Sequence, residues 1–142
     1  MVDVNQIKNK IISFLNKNGP SLPIQISKFL ESNSLFTSAF LGELLDEKKI
    51  KTSNLRVGGT PLYLIRGQED KLENFTKYLH SKEQEAVILL KKHKILKDTS
   101  QEPAIRVALR KIKDFASAFK NNEDIYWRYL TTTNEEIREI LE

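Results

Sequence analysis

Cysteine is absent from the 142 residues, so disulfides and thiolate metal sites are excluded outright. No apolar run approaches the ~18 residues a membrane span needs, so no membrane partner is expected. The opening MVDVNQIKNKIISFL mixes charges and has no small-residue cleavage site, so it does not read as a signal peptide. A cytoplasmic location is the expectation. The sole glycine pair, Gly58-Gly59, has no Lys-Ser/Thr after it, which removes a phosphate-cradling loop. The two histidines, His80 and His93, stand 13 positions apart with no third ligand nearby, so no metal site is expected. The serines occupy caps and turns and no nucleophile elbow surrounds them. The acid pairs Glu69-Asp70 and Glu135-Glu136 fall in polar helix starts, where the helix dipole accounts for them. With no catalytic constellation, neither an enzyme nor a cofactor is expected.

What is present suits one ordinary domain or two small ones: 39% of residues are hydrophobic and 30% charged. The net charge of +4 is unevenly spread, at +4 over residues 1–66, +3 over 67–130 and −3 over 131–142. A basic body with an acidic tail is compatible with nucleic acid.

Along the chain, Asp3 reads as the cap of a first helix, with Gln6 at the capping-box position. Val4, Ile7, Ile11, Phe14 and Leu15 recur at helical spacing until Asn18-Gly19-Pro20 stops them. After the extended Ser21-Leu22-Pro23, a two-turn helix covers Ile24–Leu30 with Ile26, Phe29 and Leu30 inward. Ser32-Asn33-Ser34 supplies the next cap. A third helix follows from Leu35 to Lys49, with Leu41, Leu44 and Leu45 as its stripe and Ile50 closing the core. Two β-type runs, Lys51–Val57 and Leu62–Ile65, flank Gly58-Gly59-Thr60-Pro61, a hairpin whose tip needs positive φ.

Gln68–His80 reads as a connecting helix, and Ser81-Lys82-Glu83-Gln84 as a capping box opening a helix to His93 with Ala86, Leu89 and Leu90 inward. Asp98–Gln101 reads as polar loop. Glu102-Pro103 opens a helix, since proline fits the first helical position, and Ile105, Ala108, Leu109, Ile112 and Phe115 form its apolar face. Ala116–Lys120 and Ile125–Leu130 flank a second turn, Asn121-Asn122-Glu123-Asp124. A last capping box, Thr133-Asn134-Glu135-Glu136, starts a helix that reaches Glu142. The expected class is mainly α with small β-hairpins (α+β). Its divisions are 1–66, a connecting helix 67–80, a second unit 81–130 and an acidic helix 131–142.

The short helix QISKFL, the turn SNS, the pattern Leu41-x-x-Leu44 ending in Lys48-Lys49-Ile50, and the hairpin around Gly58-Gly59 together resemble the winged-helix superfamily over residues 3–66. The helix-then-hairpin order recurs about 65 residues later, as in two tandem units, the second degenerate, with its middle helix shortened or lost. In many members the turn after the third helix reads x-Gly-x-Ile; here Lys48 stands in the glycine's place. The lysine-, isoleucine- and asparagine-rich style also resembles archaeal proteins. The resemblance implies recognition rather than catalysis, most often of double-stranded DNA in transcription or replication. In other members it implies a protein-interaction scaffold that never touches DNA.

On the DNA reading, Thr37 and Ser38 would face base edges near the start of the third helix, and Gly58 and Gly59 would form the tip of a wing whose flanking Lys51 and Arg56 meet phosphates. Arg106, Arg110 and Lys113 fall at i, i+4 and i+7 with Lys111 beside them, a row suited to phosphates or simply the wet side of an amphipathic helix. On the protein-partner or homodimer reading, Phe36, Ala39, Phe40 and Gly42 give an apolar, small-residue contact face. For the third helix that packing role ranks ahead of base reading, because no side chain there reaches guanine as Arg does or adenine as Asn does.

Overall fold

The computed structural model describes residues 3–142, which form an α+β chain of short helices and two small antiparallel sheets. The chain divides into two compact units, Met1–Leu72 and Glu73–Glu142, and each is described by itself.

In the first unit, α1 (Val4–Asn18) begins where the Asp3 carboxylate accepts from the Gln6 amide at 3.3 Å. It ends at Gly19, whose φ of 78° a residue with a Cβ would adopt only under strain. Helix α2 (Pro23–Leu30) carries proline in its first turn, and α3 (Ser34–Asp46) is capped by Asn33, whose side chain accepts from the Phe36 amide at 2.8 Å. Ile11, Leu15, Ile26, Leu41, Leu44 and Ile50 are the buried centre of the three helices. Phe29, expected inward, is instead exposed and rests against Phe14, with ring centroids 4.8 Å apart. An eight-residue helix buries only one narrow stripe, and Ile26 fills it.

Helix α3 stops three residues short of the expected Lys49. Lys48 adopts φ 60°, its amide bonds the Leu45 carbonyl and the Lys49 amide bonds the Leu44 carbonyl, both at 3.0 Å. That is the left-handed Schellman stop, made here without glycine.

Strands β1 (Lys51–Val57) and β2 (Thr60–Leu64) pair antiparallel around Gly58-Gly59, whose φ values of 59° and 85° give the type I′ turn that suits strand twist. The pairing slips between Thr52 and Arg56. There the Ser53 hydroxyl accepts from the Leu62 amide at 2.9 Å and donates to the Leu55 carbonyl at 2.7 Å, replacing ladder bonds the irregularity removes. On the other side of β2, Ser21 forms an antiparallel bridge with Tyr63. Gln68 closes the unit: its side-chain amide donates to the Leu15 carbonyl at 2.8 Å and accepts from the Ile65 amide at 3.1 Å.

The expected connecting helix takes the tighter 3₁₀ form over Glu69–Tyr78. In the second unit α4 (Ser81–His93) starts with Ser81 as its first helical residue, so the expected Ser81 capping box does not form. The Gln84 side chain turns back to the Leu79 carbonyl at 2.8 Å instead. A three-residue strand, β3 (Ile95–Lys97), then a short 3₁₀ turn over Asp98–Ser100, lead into α5 (Pro103–Lys111). Strands β4 (Ala116–Asn121) and β5 (Asp124–Tyr129) close around Asn122-Glu123, both with positive φ. The sheet order is β3-β5-β4. Trp127 and Tyr129 are buried with Leu90, Ile105, Leu109, Ile112 and Phe115 as the core. Helix α6 (Asn134–Leu141) carries the expected capping box: Thr133 accepts from the Glu136 amide at 3.1 Å, and the Glu136 carboxylate accepts from the Thr133 amide at 3.0 Å. A Lys94–Glu136 ion pair ties it to the end of α4, and Lys94 together with Glu136's own cap bonds lowers that carboxyl to about 2.

Both units therefore share one order. A helix is followed by a short extended stretch, one or two turns of helix, a further helix and a hairpin, and the extended stretch pairs with the hairpin's second strand. No described helix is long and apolar enough to cross a membrane.

Candidate nucleic-acid interface and an exposed apolar face

The most elaborate polar cluster sits at the outer side of α5. Asp98 leaves β3 at the start of its 3₁₀ turn and is buried. Its carboxylate accepts from Arg106 Nε at 3.2 Å and Nη2 at 2.9 Å, from Arg110 Nη1 at 2.8 Å and Nη2 at 3.0 Å, and from Trp127 Nε1 at 2.9 Å. Arg110 also donates to the Arg106 carbonyl at 2.9 Å, and its guanidinium lies 5.5 Å from the Trp127 ring centre. Arg110 first, then Trp127 and Arg106, hold the Asp98 carboxyl well below the usual carboxylate range, against the opposing effect of burial. In return Asp98 raises Arg110.

This corrects the expected row of free cations. Arg106 and Arg110 are ion-paired, so the two contribute one net positive charge once Asp98 is counted. Their side chains nevertheless remain 41% and 46% exposed, so the pair lies at the surface. Helix α5 ends at Lys111, which places Lys113 in the following turn, exposed but no longer in helical register with the arginines. Lys111 is exposed at the helix end. A shallow cavity of about 430 Å³ lies in the first unit and one of about 280 Å³ beside α5, the latter lined by Pro103, Arg106, Val107 and Arg110.

In the first unit, Thr37 is corrected from base reader to core residue. It is buried, its hydroxyl donates to the Asn33 carbonyl at 3.0 Å and accepts from Ser27 Oγ at 2.8 Å. Ser38 is exposed on α3. Lys51 pairs with Leu64 at the base of the hairpin, the opposite end from Gly58-Gly59, so it does not flank the tip. Arg56 does lie near the tip, but its guanidinium turns back to the Gly59 carbonyl at 2.8 Å. Gly58 and Gly59 are exposed at the turn.

The apolar face is clearer. Leu35 is 79% and Phe36 57% exposed near the start of α3, and Ile24 on α2 is exposed as well. Ala39 is exposed; Phe40, expected at a contact, is partly buried against the helical core. Gly42 has open space where a Cβ would stand, so nothing in this unit requires glycine there. Ile24 also lines the 430 Å³ cavity, with Leu22, Pro23, Ser27, Ser34, Val57 and Thr60.

Asp98 and Trp127 are the residues that sequence reasoning missed as parts of the α5 site. The available signal was an acid just before a helix bearing two arginines four apart. Among the described residues no cluster of metal-ligating side chains occurs. No protein-family model matches the chain, and comparison with curated proteins finds no match.

Proposed function

We propose that the chain is a tandem winged-helix protein that binds double-stranded DNA mainly through phosphate contacts, as a transcription- or replication-associated factor. The observation that carries the reading is the pair of guanidinium groups held at the surface of α5, the helix that precedes the hairpin in the second unit. In winged-helix proteins the helix before the hairpin is the one that enters the major groove, and charge-assisted arginine bonds are the strong contacts to phosphate. The shared order of the two units, with the hairpin's second strand in the middle, supports the tandem assignment. Lys113 in the turn after α5 and Lys120 on the hairpin add exposed positive charge nearby in sequence. Contacts of this kind grip the backbone and discriminate sequence weakly. The test is titration of a random-sequence duplex at about 50 mM salt: affinity that falls linearly on log–log axes as salt rises is the expected result. No association at that salt removes the reading.

A second reading is favoured by a separate observation, the exposed Leu35 and Phe36 on a third helix that carries no Arg, Lys, Asn or Gln to read bases in a bidentate way. On that reading the first unit docks a protein partner through Phe36, Ala39 and Gly42. Phe36→Asp would abolish pull-down of that partner while leaving duplex affinity unchanged, and association that survives Phe36→Asp would remove the face as the contact.

A further inference from the structure

A carboxylate beside the arginines of a nucleic-acid site is, by charge alone, a hindrance. Asp98 subtracts one charge from the face that meets phosphates, and a duplex repels it. Its burial and its bonding point to another role. Each guanidinium carries five N–H donors in a planar fork. Asp98 takes two from Arg106 and two from Arg110, while Trp127 supplies a further donor that keeps the carboxylate from turning. Arg110 is further fixed by the Arg106 carbonyl and by the indole ring 5.5 Å away. Two long side chains that would otherwise sample many rotamers are thus held in one arrangement. The rest of each fork belongs to a side chain 41% or 46% exposed, beside the shallow cavity shared with Pro103 and Val107.

We propose that Asp98 is a positioning residue: it holds Arg106 and Arg110 as a fixed pair of forks so that duplex phosphates bind without the cost of ordering them. The proposal rests on the duplex-binding reading and makes a claim that reading does not. Ordering a rotamer-rich side chain on binding costs enough that two of them change affinity by about tenfold or more. Against this, removing one negative charge strengthens binding to a polyanion by a few fold at low salt. The two effects have opposite sign, and positioning is the larger.

The experiment is fluorescence anisotropy of a labelled random duplex with the full chain and with Asp98→Asn, across a salt series, with melting curves to show that both are folded. The expected result is an affinity weaker in Asp98→Asn at every salt, by a few fold at low salt and by about tenfold where the added charge is screened, although its net charge is higher by one. The log–log slope is no shallower than the parent's, because the same cations still neutralise phosphates. A variant that binds as tightly as the parent or tighter overturns the positioning role and leaves duplex binding standing. A parent chain that does not bind duplex removes both. Should Asp98→Asn fail to fold, Trp127→Phe keeps every charge and loses one donor to Asp98, and Arg110→Lys keeps the charge and loses the fork. Weakening of each by severalfold with the slope preserved supports the proposal, and unchanged affinity in both overturns it.

Discussion

Replacing Asp98 by asparagine should destabilise the second unit by about 2–3 kcal/mol. The carboxylate accepts five hydrogen bonds from Arg106, Arg110 and Trp127, and its own side chain is nearly inaccessible. Removing one partner of a fully buried ion pair costs about 3–5 kcal/mol. Here both guanidinium groups are nearly half exposed and regain water, so the figure belongs below that range. For a unit of this size each kcal/mol moves the midpoint by about 4–8 °C, giving a drop of about 8–24 °C at pH 7. Trp127 is the only tryptophan and lies in the second unit, so its fluorescence follows that unit alone. The pH dependence has a fixed sign. The native carboxyl lies below its unfolded value, so its contribution is complete above the unfolded pKa of about 3.9 and is lost as pH falls through the native value. The gap between parent and variant should therefore hold from pH 7 to 5 and shrink steadily below about pH 4. A midpoint within about 3 °C of the parent at pH 7, or a gap that widens in acid, would refute the reasoning.

Lys48→Gly should stabilise the first unit by about 0.5–1 kcal/mol in urea denaturation, because Lys48 holds φ 60° at the end of α3 where glycine has no Cβ penalty. Gly42→Ala should raise stability by a similar ~0.5–1 kcal/mol from helix propensity, since no atom crowds the position. If it also abolishes a partner's binding, the α3 face is the contact. Ser53→Ala should cost about 1–3 kcal/mol, since the Leu62 amide loses its acceptor inside a buried strand irregularity, and thermal melting would register it.

Helices and hairpins were legible where local chemistry decides them. Asp3, Asn33 and Thr133 cap because a short oxygen-bearing side chain can reach an orphan amide, and Gly58-Gly59 turns because positive φ is needed there. The misreadings came where tertiary bonding competes with local pattern. Ser81 was open to capping, but Gln84 bonds backward to Leu79. β3 has only three residues, too few to show alternation, and exists because β5 offers it an edge. The α5 stripe was read from spacing alone, which shows that Arg106 and Arg110 share a face and says nothing of an acid brought beneath them by the turn after β3. Thr37 looked like a surface hydroxyl because threonine is compatible with either side of a helix; its burial depends on Ser27 across α2.

The duplex reading has positive charge around α5 meeting the phosphates. It is tested most directly by the salt dependence of duplex affinity in Lys113→Gln beside the parent chain, since Lys113 is exposed and lies outside the Asp98 cluster. Weaker binding and a log–log slope shallower by about one are expected in the variant. A parent chain with no salt-dependent affinity, or a variant whose slope matches the parent's, would contradict that reading.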